Sequence, residues 1–331
     1  MNIKDFFWNT NEKRLRAVFR LLAQAVIFGA LLLILGLVAG ILLFAANWIL
    51  TDTIAFSLFS NVLNIIVMSG VFLLGPLIGA RWIDKRSLTS LGFSFSKQWW
   101  KDIAFGLFLG GFLMLIIFLV ELSFGWVSVE GFFRQDAGEY PFIIGLVIVL
   151  FQFIMVGIYE ETFFRGYLLT NFSEGFTFIK NQKVGLIVAY ILTSSIFGIM
   201  HMLNPNTTLI STLNITLAGL FLGLGYVLTG NIGLSIGIHI TWNFFQGNVF
   251  GFPVSGVFNP FSFIDSVQHG NELITGGDFG PEAGLMGIVA MILGTMLTLL
   301  WVKWQYGEIK FKILENFIKP IEEPALDLET D

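Results

Sequence analysis

The chain has 331 residues, 55% of them hydrophobic and only 12% charged, with a mean hydropathy of +0.80. Soluble domains carry about 25% charged residues, so this composition excludes a water-covered globule and points to a polytopic membrane protein. The formal net charge of −5 sits in loops and tails, no basic stripe suits a nucleic acid, and the absence of cysteine excludes disulfides, thiolate metal sites and a cysteine nucleophile.

In chain order, Lys13, Arg14, Arg16 and Arg20 precede an apolar run from Leu21 to Leu50. That run is far longer than the roughly 7–15 residues of a signal-peptide core, so it reads as a first transmembrane helix at 21–49. Further apolar segments lie at 54–80, 103–122, 142–172, 184–203, 209–228, 231–249 and 284–303. Each is near or above the ~20 residues that cross the hydrocarbon. The expected fold is an all-α, polytopic transmembrane helical bundle of about eight spans. Lysines and arginines fall before the first span, between the second and third, between the fourth and fifth, and after the last; only Arg134 lies in a loop that alternation puts on the other side. The positive-inside rule then makes both termini cytoplasmic. Gly36/Gly40, Gly106/Gly110, Gly219/Gly223 and Gly233/Gly237 are small-xxx-small pairs, read as ordinary close packing of helices in lipid. Residues 248–284 read as a polar, Gly-rich external loop, and the acidic tail 321–331 as disordered. No internal repeat argues for an inverted-repeat transporter.

The fourth segment contains the stretch "IYEETFFRGYLL", which puts Glu160, Glu161 and Arg165 among apolar residues. A charge at the bilayer centre costs about 2.5–3.5 kcal/mol on insertion scales, so such groups face a protein interior or a wet cavity and are functional candidates. The bland alternative ends the span at Tyr159 and leaves a solvated helix end; Phe163, Phe164, Tyr167, Leu168 and Leu169 continue the apolar pattern against it. On a helix Glu161 and Arg165 are i, i+4 and pair. Glu160, about 100° around the helix, is left to point elsewhere. His201 lies near the end of the fifth span, one turn after Phe197, and His239 lies inside the seventh, one turn before Asn243. Each histidine alone is more often a packing residue than a catalyst. His269, in the external loop, carries no expectation. At 1.5 Å per residue the depths of Glu160, His201, His239 and Asn243, roughly 19, 27, 12 and 18 Å, allow the four to converge in mid-membrane.

Glu160-Glu161-x-x-x-Arg165, Phe197-x-x-x-His201 and His239-x-x-x-Asn243, in this order on three helices, resemble the three signature motifs of the CPBP intramembrane proteases. That family comprises CAAX prenyl endopeptidases and bacteriocin-processing or immunity proteins. The resemblance covers about residues 140–250 and divides the chain into N-terminal helices and loops (1–140), a catalytic core (141–250) and a C-terminal part with the external loop, last span and acidic tail (251–331). It implies hydrolysis of a peptide bond in a membrane-associated protein or peptide. Glu160 and His201 match the family's water-activating pair, His239 and Asn243 its oxyanion site, and Glu161 and Arg165 its supporting positions. Desolvation, which raises a carboxyl pKa, suits a general base. Amide and imidazole N–H groups suit an oxyanion in a low dielectric.

Two histidines and a glutamate also form a catalytic zinc set with one open position. The residues thus leave two mechanisms open: a divalent metal held by Glu160, His201 and His239, or metal-free activation of water. Two other functions share the pattern: a non-proteolytic membrane partner or bacteriocin-immunity protein of the same fold, and a proton-coupled transporter using Glu160, His201 and His239 as a relay. The short loops and uncleaved first span suggest an integral protein of a bacterial inner membrane.

Overall fold

Inside a bilayer every backbone N–H and C=O must be satisfied within the segment, so long apolar runs become helices. The computed structural model describes residues 6–10, 12–136 and 141–316. Its helices are α1 (Ala17–Ile49), α2 (Thr53–Ile78), α3 (Lys97–Ser123), α4 (Phe142–Glu161), α5 (Thr170–Gly175), α6 (Gln182–Met200), α7 (Leu209–Thr229), α8 (Gly233–Phe244), the short α9 (Glu272–Thr275) and α10 (Leu285–Tyr306). A π-helical stretch, Thr162–Leu169, joins α4 to α5, and the helical rod runs on from Phe142 to Phe178. The acidic tail lies outside the described residues.

Local sequence sets several boundaries. The side chains of Asp52, Ser96 and Asn181 accept backbone N–H groups at the starts of α2, α3 and α6, and Thr208 and Ser211 form a reciprocal capping box at α7. Among the described residues seven helices are long and apolar enough to cross a membrane, giving a polytopic helical bundle. The segment expected as a full span at 231–249 is shorter: α8 has 12 residues and continues as a π turn, Phe245–Val249. Nearly all of α8 is buried, so it is lined by protein rather than lipid.

Glycine explains how α8 is enclosed. A Cβ on Gly106 or Gly110 of α3 would collide with backbone atoms of α8 around Leu234 and Ile238, and one on Gly237 would collide with Ile103 and Leu107 of α3. The two backbones therefore touch along a parallel seam. Gly157 of α4 meets Ile236 and Ile240 on the other side of α8. Helix α8 thus runs parallel to α3 and antiparallel to α4, as the seventh of eight alternating spans would.

The two ends of the bundle differ. At one, Arg14, Arg20 and Arg86 surround Glu174, and Asn171 Nδ2 donates to Asp84 at 2.8 Å. At the other, the region expected to be a plain loop is ordered. Val127–Gln135 (β3) and Phe261–Gln268 (β4) pair antiparallel, with a bulge at Val129/Gly131. A smaller ribbon pairs Trp8–Asn9 (β1) with Arg14–Leu15 (β2). The chain between α8 and β4 folds back over the bundle: Asn204 Nδ2 donates to Ser255 O at 2.9 Å, and Gly256 N to Phe279 O at 2.8 Å. Gly256 sits at φ +82°, and a Cβ there would strike Pro205 O.

Candidate active site

Helix α4 presents two adjacent carboxylates about 100° apart around its axis, and they meet different surroundings. Glu161 is fully buried, and its Oε1 accepts from Arg165 Nη1 at 2.9 Å and from His239 Nδ1 at 2.8 Å. Arg165 also donates through Nη2 to Gly219 O at 2.9 Å, and its guanidinium lies 4.8 Å from the Phe197 ring centre. One carboxylate thereby joins α4, the π stretch, α7 and α8. Glu160 Oε2 is buried and receives no hydrogen bond among the described residues. The nearest cation-forming group is His239 Nε2, 3.8 Å away.

The histidine tautomers follow from their partners. A carbonyl oxygen only accepts, so His201 Nδ1, 2.7 Å from Phe197 O, carries the proton and leaves Nε2 with a lone pair. His201 directly follows Met200, the last residue of α6, where the helix gives way to a single 3₁₀ turn, His201–Leu203. His239 is held the same way through Nδ1, by Glu161. Asn243 follows His239 by one turn on the face turned to the same space.

That space is a cavity of about 390 Å³, within the ~300–1,000 Å³ of small-ligand pockets. Glu160, His201, His239 and Asn243 all line it. Glu161 and Arg165 do not; they stand behind and fix His239. His269 lies elsewhere, its Nε2 2.8 Å from Ser128 Oγ across the β3–β4 ribbon. The motif reading missed several polar lining groups: Asn64, Gln152, Asn204, Ser255, Asn259 and Glu282. Glu282 accepts from Ser255 N at 2.5 Å and Ser255 Oγ at 3.0 Å, and pairs with Gln246. Burial pushes its carboxyl up to about 7. Its only sequence signal is a lone acid in "GPEAG", too weak to separate from a turn.

A catalytic zinc would need three of these side chains within about 2.0–2.2 Å of one point. Among the described residues no three His, Asp or Glu side chains gather in that way, so Glu160, His201 and His239 do not fit the ion as they stand.

Residues 142–245 match a family model described as type II CAAX prenyl endopeptidase Rce1-like. No curated protein and no solved structure matches the chain. The matched segment contains all three motifs and runs from the start of α4 to the end of α8, the helices that carry Glu160, His201, His239 and Asn243. Over that segment the chain is similar to the CAAX-type family of intramembrane proteases.

Proposed function

We propose that this integral membrane protein cleaves a membrane-associated protein or peptide with a water activated by Glu160 and His201. The observation that carries the reading is the division of labour between adjacent carboxylates: Glu161 is committed to Arg165 and His239, whereas Glu160 Oε2 has no donor among the described residues and lines the cavity. A water beside Glu160 gives it a proton while His201 Nε2, the free acceptor, orients the same water. The hydroxide adds to the peptide carbonyl, and the oxyanion accepts from Asn243 Nδ2. Glu160 then returns the proton to the leaving amine, and the C–N bond breaks. His239 has already committed Nδ1–H to Glu161, so its Nε2 donates to the oxyanion only as the imidazolium. The Glu161 carboxylate supplies the counter-charge for that form.

General acid–base groups contribute about 10²–10⁴-fold. Glu160→Gln and His201→Ala should each lower the rate of peptide cleavage by that order or more, with the melting temperature in detergent unchanged within a few degrees. Cleavage retained in either variant would sink the assignment. Identical membrane-peptide fragments in cells carrying wild-type or Glu160→Gln protein would favour the non-proteolytic partner instead.

A further inference from the structure

Every described lysine and arginine except Arg134 and Arg165 lies at one end of the bundle. Contacts tie them there: Arg14, Arg20 and Arg86 share Glu174, Lys85 Nζ donates to Lys13 O, and Lys101 Nζ reaches Gln305. Positive charge of this kind marks the cytoplasmic face. The cavity is closed toward that end, because all eight residues of the π stretch, Thr162–Leu169, are buried beneath Glu160.

Its opposite end is different. The lining residues that are exposed are Asn64, Met68, Gln152 and Val257, on α2, α4 and the folded-back chain. Gln152 lies about 12 Å from Glu160 along α4, away from the basic end. Beside this mouth Leu203 is 93% exposed, and Leu209 and Phe258 are also uncovered, so the rim is greasy.

The charge inside agrees. Glu160 and Glu282 line the cavity, and among the described residues no lysine or arginine does. The two nearby arginines are occupied: Arg165 by Glu161 and Gly219 O, and Arg134 by Asn259 O, Gly251 O and Asp265. A desolvated terminal carboxylate needs a cation; the His239 imidazolium already has Glu161 as its counter-charge, so here it would meet two acids.

We propose that the cavity takes an internal, uncharged stretch of an apolar peptide that reaches it from the extracytoplasmic leaflet, and not a cytoplasmic chain end with a free carboxylate. The proposal rests on the proteolytic reading for its chemistry but not for its geometry, so the two can fail separately. The chain has no cysteine, and Leu273→Cys and Leu88→Cys each create a single thiol at an exposed site, one at each end. In intact bacterial spheroplasts a membrane-impermeant maleimide should label the Leu273→Cys protein and reach the Leu88→Cys protein only after permeabilisation. The reverse pattern overturns the proposal whether or not the protein is a protease. Terminal sequencing of fragments that depend on wild-type protein, against Glu160→Gln, should place the cuts within extracytoplasmic or outer-leaflet segments. Cuts confined to the last few residues of cytoplasmic tails overturn it as well.

Discussion

At the scale of single residues, the site is organised by what each polar group has already committed. Glu161 gives one oxygen to both Arg165 and His239 and so acts through them. Removal of its charge leaves His239 without a counter-ion, and a group that orients a site histidine in this way is worth about 10–100-fold. Glu161→Gln should therefore lower kcat by that order with KM little changed, whereas a merely structural loss would lower the melting temperature. Glu282 offers a second test. Its carboxyl is raised from its usual 4.5 to about 7 by burial, so the folded state holds the proton more tightly than the unfolded chain. Its contribution to stability is full below about pH 4.5 and is lost as the pH rises through about 7, at most ~3 kcal/mol. Glu282→Gln should leave stability at pH 4.5 unchanged and raise it at pH 8, read as thermal unfolding in detergent. Gln246 favours this outcome, because its buried Oε1 has no partner among the described residues and a turned amide can accept from the new NH₂ group. The motif positions were legible because they are charges where lipid forbids them. Glu282, Ser255 and Asn204 were not, because a polar residue in a polar loop carries no such penalty.

At the scale of elements, hydropathy located the membrane helices to within a few residues, since chain length in lipid is fixed by bilayer thickness. It placed α8 and its π turn, Gly233–Val249, to within two residues but did not show that this apolar run is buried by protein rather than facing lipid. It was blind to β3 and β4, whose period-2 patterns, Val127/Val129 and Phe261/Phe263, sit inside segments too polar to read as spans. The glycine pairs read as close helix packing, and Gly106, Gly110 and Gly237 do pack in that way, setting the α3–α8 distance, whereas Gly36 and Gly40 face open space. Gly110→Val should unfold the protein or cost at least the ~1–3 kcal/mol of an overpacked core, whereas Gly36→Val, with open space around it, should be neutral. Gly256→Ala should cost ~1–3 kcal/mol through its left-handed backbone and loosen the covering chain. Faster proteolysis between 254 and 279 under native conditions would report this.

At the scale of the whole molecule, two mechanisms of water activation predict different compositions. The structure brings His239 Nε2 to 3.8 Å from Glu160 Oε2 but gathers no three-ligand set among the described residues. Activity should therefore survive chelation, with less than one zinc per several chains by elemental analysis. Activity that is lost with the chelator and restored by zinc would replace the glutamate mechanism. The rod from Phe142 to Phe178 also links the two ends of the bundle. Its upper part carries Glu160 and Glu161, and its lower part carries Asn171 and Glu174, which are fastened to Asp84, Arg14, Arg20 and Arg86. The wide-pitched turn between them sets the angular phase of one set against the other. Thr162 Oγ1, bonded back to Ile158 O at 2.6 Å, stands where that turn begins. Deleting one residue there would swing the lower half through about 100° relative to the upper, so that the basic clasp and the catalytic face could no longer both find their partners.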